Sequence, residues 1–244
     1  MILELDAGNS SIKYRVLALS DARVLSRGRL RGVSELAAWL EKEGRIYAAS
    51  RASMVHSARA LVLPLHETME PFTAQKLCIA KVSEHLAGVR HAYVEPAQLG
   101  VDRWLAMGAA YHLVGGGCLV IDAGTAITAD MVDASGMHLG GCIAPGVERL
   151  IGSLTAGTAL QAGRAETVSG LQRTTEGCVD AGINLMLEGF VAQLKGIADQ
   201  EMPKGYRVVV TGGDARRLSR HLPEATLVEE LVFDGLALAC PVRV

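Results

Sequence analysis

Leu3-Glu4-Leu5-Asp6-Ala7-Gly8-Asn9-Ser10-Ser11-Ile12-Lys13-Tyr14-Arg15-Val16 returns, altered but recognisable, as Leu119-Val120-Ile121-Asp122-Ala123-Gly124-Thr125-Ala126-Ile127-Thr128-Ala129-Asp130-Met131-Val132. Each run is an apolar strand that ends on an aspartate, turns at a glycine and leaves as a second strand. One such turn reads equally well as an ordinary hairpin with a polar tip. Two of them, one in each half of the chain, point to duplicated lobes that grip a ligand with one turn each. Gly8 lets the backbone bend and approach a ligand, Asn9 and Ser10 offer donors, and Lys13 is a cation on the outgoing strand. That is a phosphate cradle in outline. Asp6 suits it if a divalent cation such as Mg²⁺, bound directly or through water, stands between the carboxylate and the phosphate oxygens.

Working outward, a third strand is expected over Arg23 to Arg31, then a helix from Glu35 to Lys42 capped by Ser34 and stopped at Gly44. Residues 51 to 94 read as a strand near Ser53 to His56, a helix from Ala58 to Thr68 and a strand near His91 to Val94. Gly100 to Val114 has a helical pattern. Gly115 to Gly117 then break the chain, which places the domain boundary there, with one domain over 1–115 and a second over 116–244. Helices at Val147 to Leu154, Thr175 to Leu194 and Leu231 to Ala239, with a strand at Tyr206 to Thr211, complete an α/β pattern.

The 244 residues suffice for two small cores, and 50% hydrophobic with 4% aromatic content fits tight Val, Leu, Ala and Gly packing. A net charge of −2 without long charged runs lacks the footprint of a nucleic-acid binder. Arg216, Arg217 and Arg220 read as a solvated helix face. Cys78, Cys118, Cys142, Cys178 and Cys240 form no C-x-x-C, so they read as buried, reduced thiols rather than a disulfide framework or a zinc site. The scattered histidines suggest no metal site. The opening residues carry no signal-peptide pattern and no apolar run reaches about 18 residues, so a cytoplasmic protein without membrane contact is expected.

Three further segments carry chemistry. Gly100-Val101-Asp102-Arg103 opens a helix; Asp102 there is either a favourable charge at the helix start or a base for a substrate hydroxyl, with Arg103 anchoring an anion. Thr211-Gly212-Gly213-Asp214 ends an apolar strand and is either a plain strand-to-helix turn or a flat bed for a nucleoside. Gly140 to Gly146 and Thr155 to Thr158 read equally as close-approach loops and as ordinary turns. No G-x-x-x-x-G-K-[ST], no G-x-G-x-x-G after a strand and no G-x-S-x-G occurs, so P-loop, dinucleotide and hydrolase-elbow readings have no support.

Taken in order, Asp6 to Lys13, Gly100 to Arg103, Asp122 to Asp130, Gly140 to Gly146, Thr155 to Thr158 and Thr211 to Asp214 make the chain similar to the type III pantothenate kinases, in the acetate and sugar kinase, heat-shock-70 and actin superfamily. The resemblance covers nearly the whole length. It implies two ribonuclease-H-like (actin-like ATPase) domains with a nucleotide cleft between them, a homodimer, and phosphorylation of pantothenate by ATP with Mg²⁺ at the start of coenzyme A synthesis. By position it implies ATP contacts at Asp6, Ala7, Gly8, Asn9, Ser10, Ser11, Ile12, Lys13 and Thr125, and a catalytic base at Asp102. It implies pantothenate contacts at Tyr93, Gly100, Val101, Asp102 and Arg103, with Thr175 closing the site from the facing subunit. Asp122 matches a monovalent-cation residue, for K⁺ or NH₄⁺, although a carboxylate beside a phosphate turn could equally serve Mg²⁺. The chain departs from many relatives at Arg173-Thr174-Thr175, where Asn commonly precedes the threonine. Two other readings stand beside this one: a kinase of another small hydroxylated substrate, and a regulatory relative without activity. Asp102, Arg103, Lys13 and both turns favour the enzyme, since a regulator has no need of a base opposite a phosphate clamp.

Overall fold

In the computed structural model, residues 1–8, 11–55, 60–163, 168 and 170–242 are described. Strand alternation in β1 (Ile2–Ala7) puts Leu3, Leu5 and Ala7 on one face and Glu4 and Asp6 on the other. β1 pairs antiparallel with β2 (Ile12–Leu17), which pairs with β3 (Val24–Leu30). The chain then forms α1 (Val33–Glu43) and returns as β4 (Ala49–Met54), parallel to β1. After α2 (Val62–Met69), the short β5 (Cys78–Ile79) closes a sheet of order β3-β2-β1-β4-β5. Leu36 and Leu40 of α1 and Leu65 and Met69 of α2 cover the Leu3, Leu5 and Ala7 face.

A two-strand hairpin, β6 (His85–Leu86) and β7 (Val89–Arg90), turns through Ala87 and Gly88 at positive φ. Next comes α3 (Val101–Val114). The Asp122 repeat follows as β8 (Cys118–Ala123), β9 (Ala126–Val132) and β10 (His138–Pro145). Then come α4 (Val147–Thr155), α5 (Thr175–Glu201), β11 (Arg207–Thr211), α6 (Ala215–Leu218), β12 (Thr226–Leu227) and α7 (Leu231–Ala239). This second sheet has the order β10-β9-β8-β11-β12, the same path as the first, so the repeat seen in the sequence is a repeat of topology. Leu119, Ile121 and Ala123 of β8 pack with Val147 and Ile151 of α4 and with Ile183, Leu187 and Val191 of α5.

The chain divides into two compact units, Met1–Ala109 with Leu231–Val244, and Ala110–Glu230. The expected boundary at 115/116 sits six residues beyond that division and gave the last helix to the second half, whereas α7 lies with the first sheet. Polar pairing explains why. Glu4, wholly buried on β1, accepts hydrogen bonds from Arg15 of β2 and from Arg51 Nε of β4 (2.7 Å for the latter). Arg15 reaches on to Asp234 of α7 (3.1 Å) and lies over the Phe233 ring, while Arg51 donates to the Cys240 carbonyl (2.9 Å) at the end of α7. A buried carboxylate is tolerable only with such partners, and the same arginines dock α7. Gly235 completes the docking: a Cβ there would run into the main chain of Leu105 in α3.

Several local expectations differ from the structure. Ser34 lies inside α1; Gly32 occupies the N-cap position without a side-chain cap, and Glu35 accepts the Arg31 amide (2.6 Å). Gly44 ends the helix at φ 60 as expected. Residues 91–94 form no strand, because the preceding hairpin uses the extended segment and Pro96 opens a tight turn just after. The strand near Ser53 ends at Met54, and the helix expected from Ala58 begins at Val62, with 56–59 outside the described residues. Arg217 is not solvated: it is buried and donates to Asn184 Oδ1 of α5 (3.0 Å), leaving Arg216 on the surface. Of the cysteines only Cys118 and Cys240 are buried, and Cys78 and Cys178 are exposed.

Candidate active site

In the first unit, β1 delivers Asp6 to the end of the strand, in register with Lys13 on β2 and Ser53 on β4. Lys13 Nζ lies 3.8 Å from Asp6 Oδ2, with the lysine half exposed and Asp6 13% exposed. Burial pushes the Asp6 pKa up, and the nearby Asp102 carboxylate pushes it further; Lys13 and Ser53 pull it down. The Ser53 hydroxyl is wholly buried and makes no close hydrogen bond within the described structure, yet lies near enough to Asp6 to affect it. The turn beyond closes with the Gly8 amide donating to the Ser11 carbonyl at 3.0 Å.

Asp102 reaches this site from the first turn of α3, its Oδ1 accepting the Arg103 amide at 2.9 Å. A Cβ on Gly100 would come within 2.5 Å of that same oxygen, so the glycine leaves room for the carboxylate. Arg103 is buried and donates to the Tyr93 hydroxyl (2.7 Å), with its guanidinium 5.6 Å from the ring centre. Asp6 thus has Lys13 at 3.8 Å and the Asp102 carboxylate within electrostatic reach, while Arg103, next to Asp102 on α3, pairs with Tyr93.

The second unit builds a second site from three loops. Asp122, next to last on β8, is in register with Thr128 on β9 and with Thr211 on β11. The Gly124 amide donates to Ala126 (3.0 Å), the Gly146 amide to Thr125 (3.2 Å) and the Asp214 amide to Ala123 (2.9 Å). Gly212, at φ +96, faces Asp122 Oδ1 and the Ala123 main chain so closely that a Cβ would stand 2.5 Å from them. Gly146 likewise has no room for a side chain against Gly124 and Thr125. The turn at Asp122, the loop ending at Gly146 and the Gly212-Gly213 turn are therefore joined through main chain, the kind of surface that binds phosphate and sugar hydroxyls.

The family model for type III pantothenate kinases matches residues 2–197, four-fifths of the chain and all but the Thr211 turn of these sites. The chain belongs to the type III pantothenate kinase family. A curated type III pantothenate kinase of Pseudomonas savastanoi pv. phaseolicola (strain 1448A / Race 6) is 40% identical over 252 residues, covering 100% of both chains. Among solved structures, a Campylobacter jejuni protein assigned to a Baf family of transcriptional activators superposes with a TM-score of 0.62 at 21% identity, over 96% of this chain and 94% of that one. A Sinorhizobium meliloti protein assigned as a 2-dehydro-3-deoxygalactonokinase gives 0.59 at 14% identity, over 99% and 100%. Those two likenesses speak to fold alone: both proteins share the α/β fold of this chain over nearly its full length.

The remaining expected positions lie on strand ends, turns and helix starts of this pantothenate kinase family member. Ala7 and Ile12 are core residues, so only their main chain faces a ligand. Val101 is the first residue of α3, and Ser11 and Thr125 are at least partly exposed on their turns. Asn9 and Ser10 lie outside the described residues. Thr175 begins α5 on the surface of the second unit, with Thr174 at the N-cap accepting the Gly177 amide (3.1 Å). Ser53 was missed by the sequence reading, because its place beside Asp6 comes from pairing two strands 47 residues apart. The donor set suits a divalent ion held with nucleotide phosphates. Among the described residues no group of three or more His, Cys, Asp and Glu could cage a metal, but Asp6 and Asp102 offer hard oxygens, and Mg²⁺ at phosphate sites commonly takes only one or two carboxylates.

Proposed function

We propose that this protein transfers the γ-phosphoryl group of ATP to the primary hydroxyl of pantothenate, giving 4′-phosphopantothenate for coenzyme A synthesis. The observation that carries the reading is the Asp6–Asp102 pair: a strand-end carboxylate at a glycine turn, within electrostatic reach of a second carboxylate on a helix that also carries Arg103. Asp102 accepts the hydroxyl proton as the oxygen attacks. Arg103, held in place by Tyr93, binds the pantothenate carboxylate. Lys13 and the main-chain donors of the Gly8 turn bind the ATP phosphates, with Thr125 and the Gly124 turn supplying the second set. The Gly212-Gly213 turn takes the adenosine. When bound, Mg²⁺ neutralises charge building on the phosphate oxygens, and Asp6 is the side chain placed to hold it, directly or through water.

Three finer assignments belong to the same reading. Asp122 holds a monovalent cation, K⁺ or NH₄⁺, with the main chain around Ala123 and Gly212 as its setting. The protein is a homodimer in which Thr175 completes the partner's substrate site, and α5 supports this with Leu185 and Met186 exposed between Gly182 and Gly189 on one helix face. It works in the cytoplasm; none of the described helices is long and apolar enough to cross a membrane.

The test is ATP consumption with pantothenate and with a panel of sugars and hydroxy acids, in potassium and in sodium buffer. Turnover should require pantothenate and should fall at least about tenfold in sodium, and Asp122→Asn should abolish the difference between the two salts. Turnover with another acceptor in place of pantothenate would overturn the substrate, and equal rates in both salts for the unaltered protein would overturn the cation.

A further inference from the structure

The exposed Cys78 and the buried Cys240 belong to neither site, yet they meet: their sulfurs are 2.6 Å apart although 162 positions separate them in the chain. Both are free thiols. The contact is built from two directions. Parallel pairing sets Cys78 on the edge strand β5 in register with Arg51 on β4. Arg51 donates to the main-chain carbonyl of Cys240 at 2.9 Å, which fixes the end of α7 over the same arginine. The two cysteines therefore converge on one buried cation, within a fold feature that already requires Arg51 for Glu4.

We infer that Cys78 and Cys240 form a reversible disulfide on exposure to peroxide, a modification site that locks the end of α7 to the edge of the first sheet. The exposed Cys78 meets the oxidant. Its thiolate displaces hydroxide from hydrogen peroxide, giving the sulfenic acid and, with one proton, water. The Cys240 sulfur then attacks that sulfenic sulfur, the S–OH bond breaks, and the Cys240 proton leaves with the hydroxyl as a second water. Two thiols and one peroxide become one disulfide and two waters. Any cellular thiol pair such as glutathione reverses the change.

The environment favours this order. Burial pushes the Cys240 thiol up to about 12, with the hydrogen bond and the charge of Cys78 adding to the rise and Arg51 opposing it. Cys240 is accordingly inert while Cys78 is reduced.

The experiment treats the reduced full-length protein at low micromolar concentration with a slight excess of hydrogen peroxide, followed by intact-mass and non-reducing peptide analysis. The expected result is a loss of about 2 Da, a linked pair of peptides containing Cys78 and Cys240, and full reversal by dithiothreitol. The linked form should melt at least about 5 °C higher, because the cross-link constrains a very long loop of the unfolded chain. Cys78→Ser should give no link, and Cys240→Ser should accumulate a sulfenic acid at Cys78 that a dimedone reagent captures. Unchanged mass, oxygen addition without a link in the unaltered protein, a link through Cys142 or Cys178 or to a second copy, or a link without a rise in melting temperature would each overturn the inference.

Discussion

At the scale of single residues, two aspartates with the same charge do different work. On the proposed mechanism Asp102 takes the hydroxyl proton, so Asp102→Asn should lower turnover by roughly 10² to 10⁴ while calorimetry still detects pantothenate binding, since Arg103 and Tyr93 remain. Near-normal turnover would remove Asp102 from the chemistry. Asp6 carries the opposite liability. Its pKa in the folded chain is raised above the ordinary 3.8, mainly by burial and then by Asp102. Folding therefore favours its protonated form, and its ionised form costs stability at every pH above the folded pKa. That cost fades as pH falls through the folded pKa and is gone below the unfolded one. Asp6→Asn should thus melt higher than the unaltered protein at pH 7, with the gap closing near pH 4, while kinase activity is lost. A lower melting temperature at neutral pH would contradict the direction given for Asp6. The sequence offered Asp6, Lys13, Asp102 and Arg103 directly because each sits in a short motif. It did not offer Ser53, whose only claim is a neighbour across a strand pair, or the burial of Arg217, whose partner Asn184 lies on another helix.

At the scale of elements, α3 and α7 were legible because each is a sustained apolar pattern with a clean end, whereas residues 91–94 misled. Tyr93 and Val94 are β-formers, yet Val94 is 94% exposed and Tyr93 is held by Arg103 rather than by a strand. Side-chain bonding overrode propensity there. Gly235 is the reverse case, a poor helix former in the middle of α7, kept out of trouble by the closeness of Leu105. Gly235→Ala weighs the two effects against each other. Alanine gains about 1 kcal/mol as a helix former, and the overlap with α3 costs about 1–3 kcal/mol. Because the obstacle is main chain, the cost should win. Urea denaturation should show net destabilisation, and because Leu105 lies one turn beyond Asp102, turnover should fall more than the Michaelis constant for ATP rises. A more stable, fully active variant would mean the helices separate without effect.

At the scale of the whole molecule, the repeat was readable and the path of the chain was not. Two strand-Asp-x-Gly turns announced two sheets, and both have the same strand order. Nothing in the order of residues says that α7 goes back to the first sheet, because its anchors, Glu4, Arg15 and Arg51, are scattered over three strands more than 180 positions earlier. Subunit pairing is likewise a property of a surface rather than of a motif. If the α5 face pairs two copies, Leu185→Glu with Met186→Glu should shift sedimentation from dimer to monomer and raise the Michaelis constant for pantothenate at least about tenfold, with that for ATP little changed. A sedimentation coefficient that stays put, or an unaltered protein that is already monomeric, would set the pairing aside. The return of α7 also bears on how the protein is made. On the ribosome, Glu4 emerges early with its two arginines and must wait, uncovered by its helix, while the whole of Ala110–Glu230 is translated. The inserted unit has all its strands before the first unit has all its helices, so it can finish folding first, and a nascent chain stalled short of Leu231 would carry a finished second half and an unfinished first.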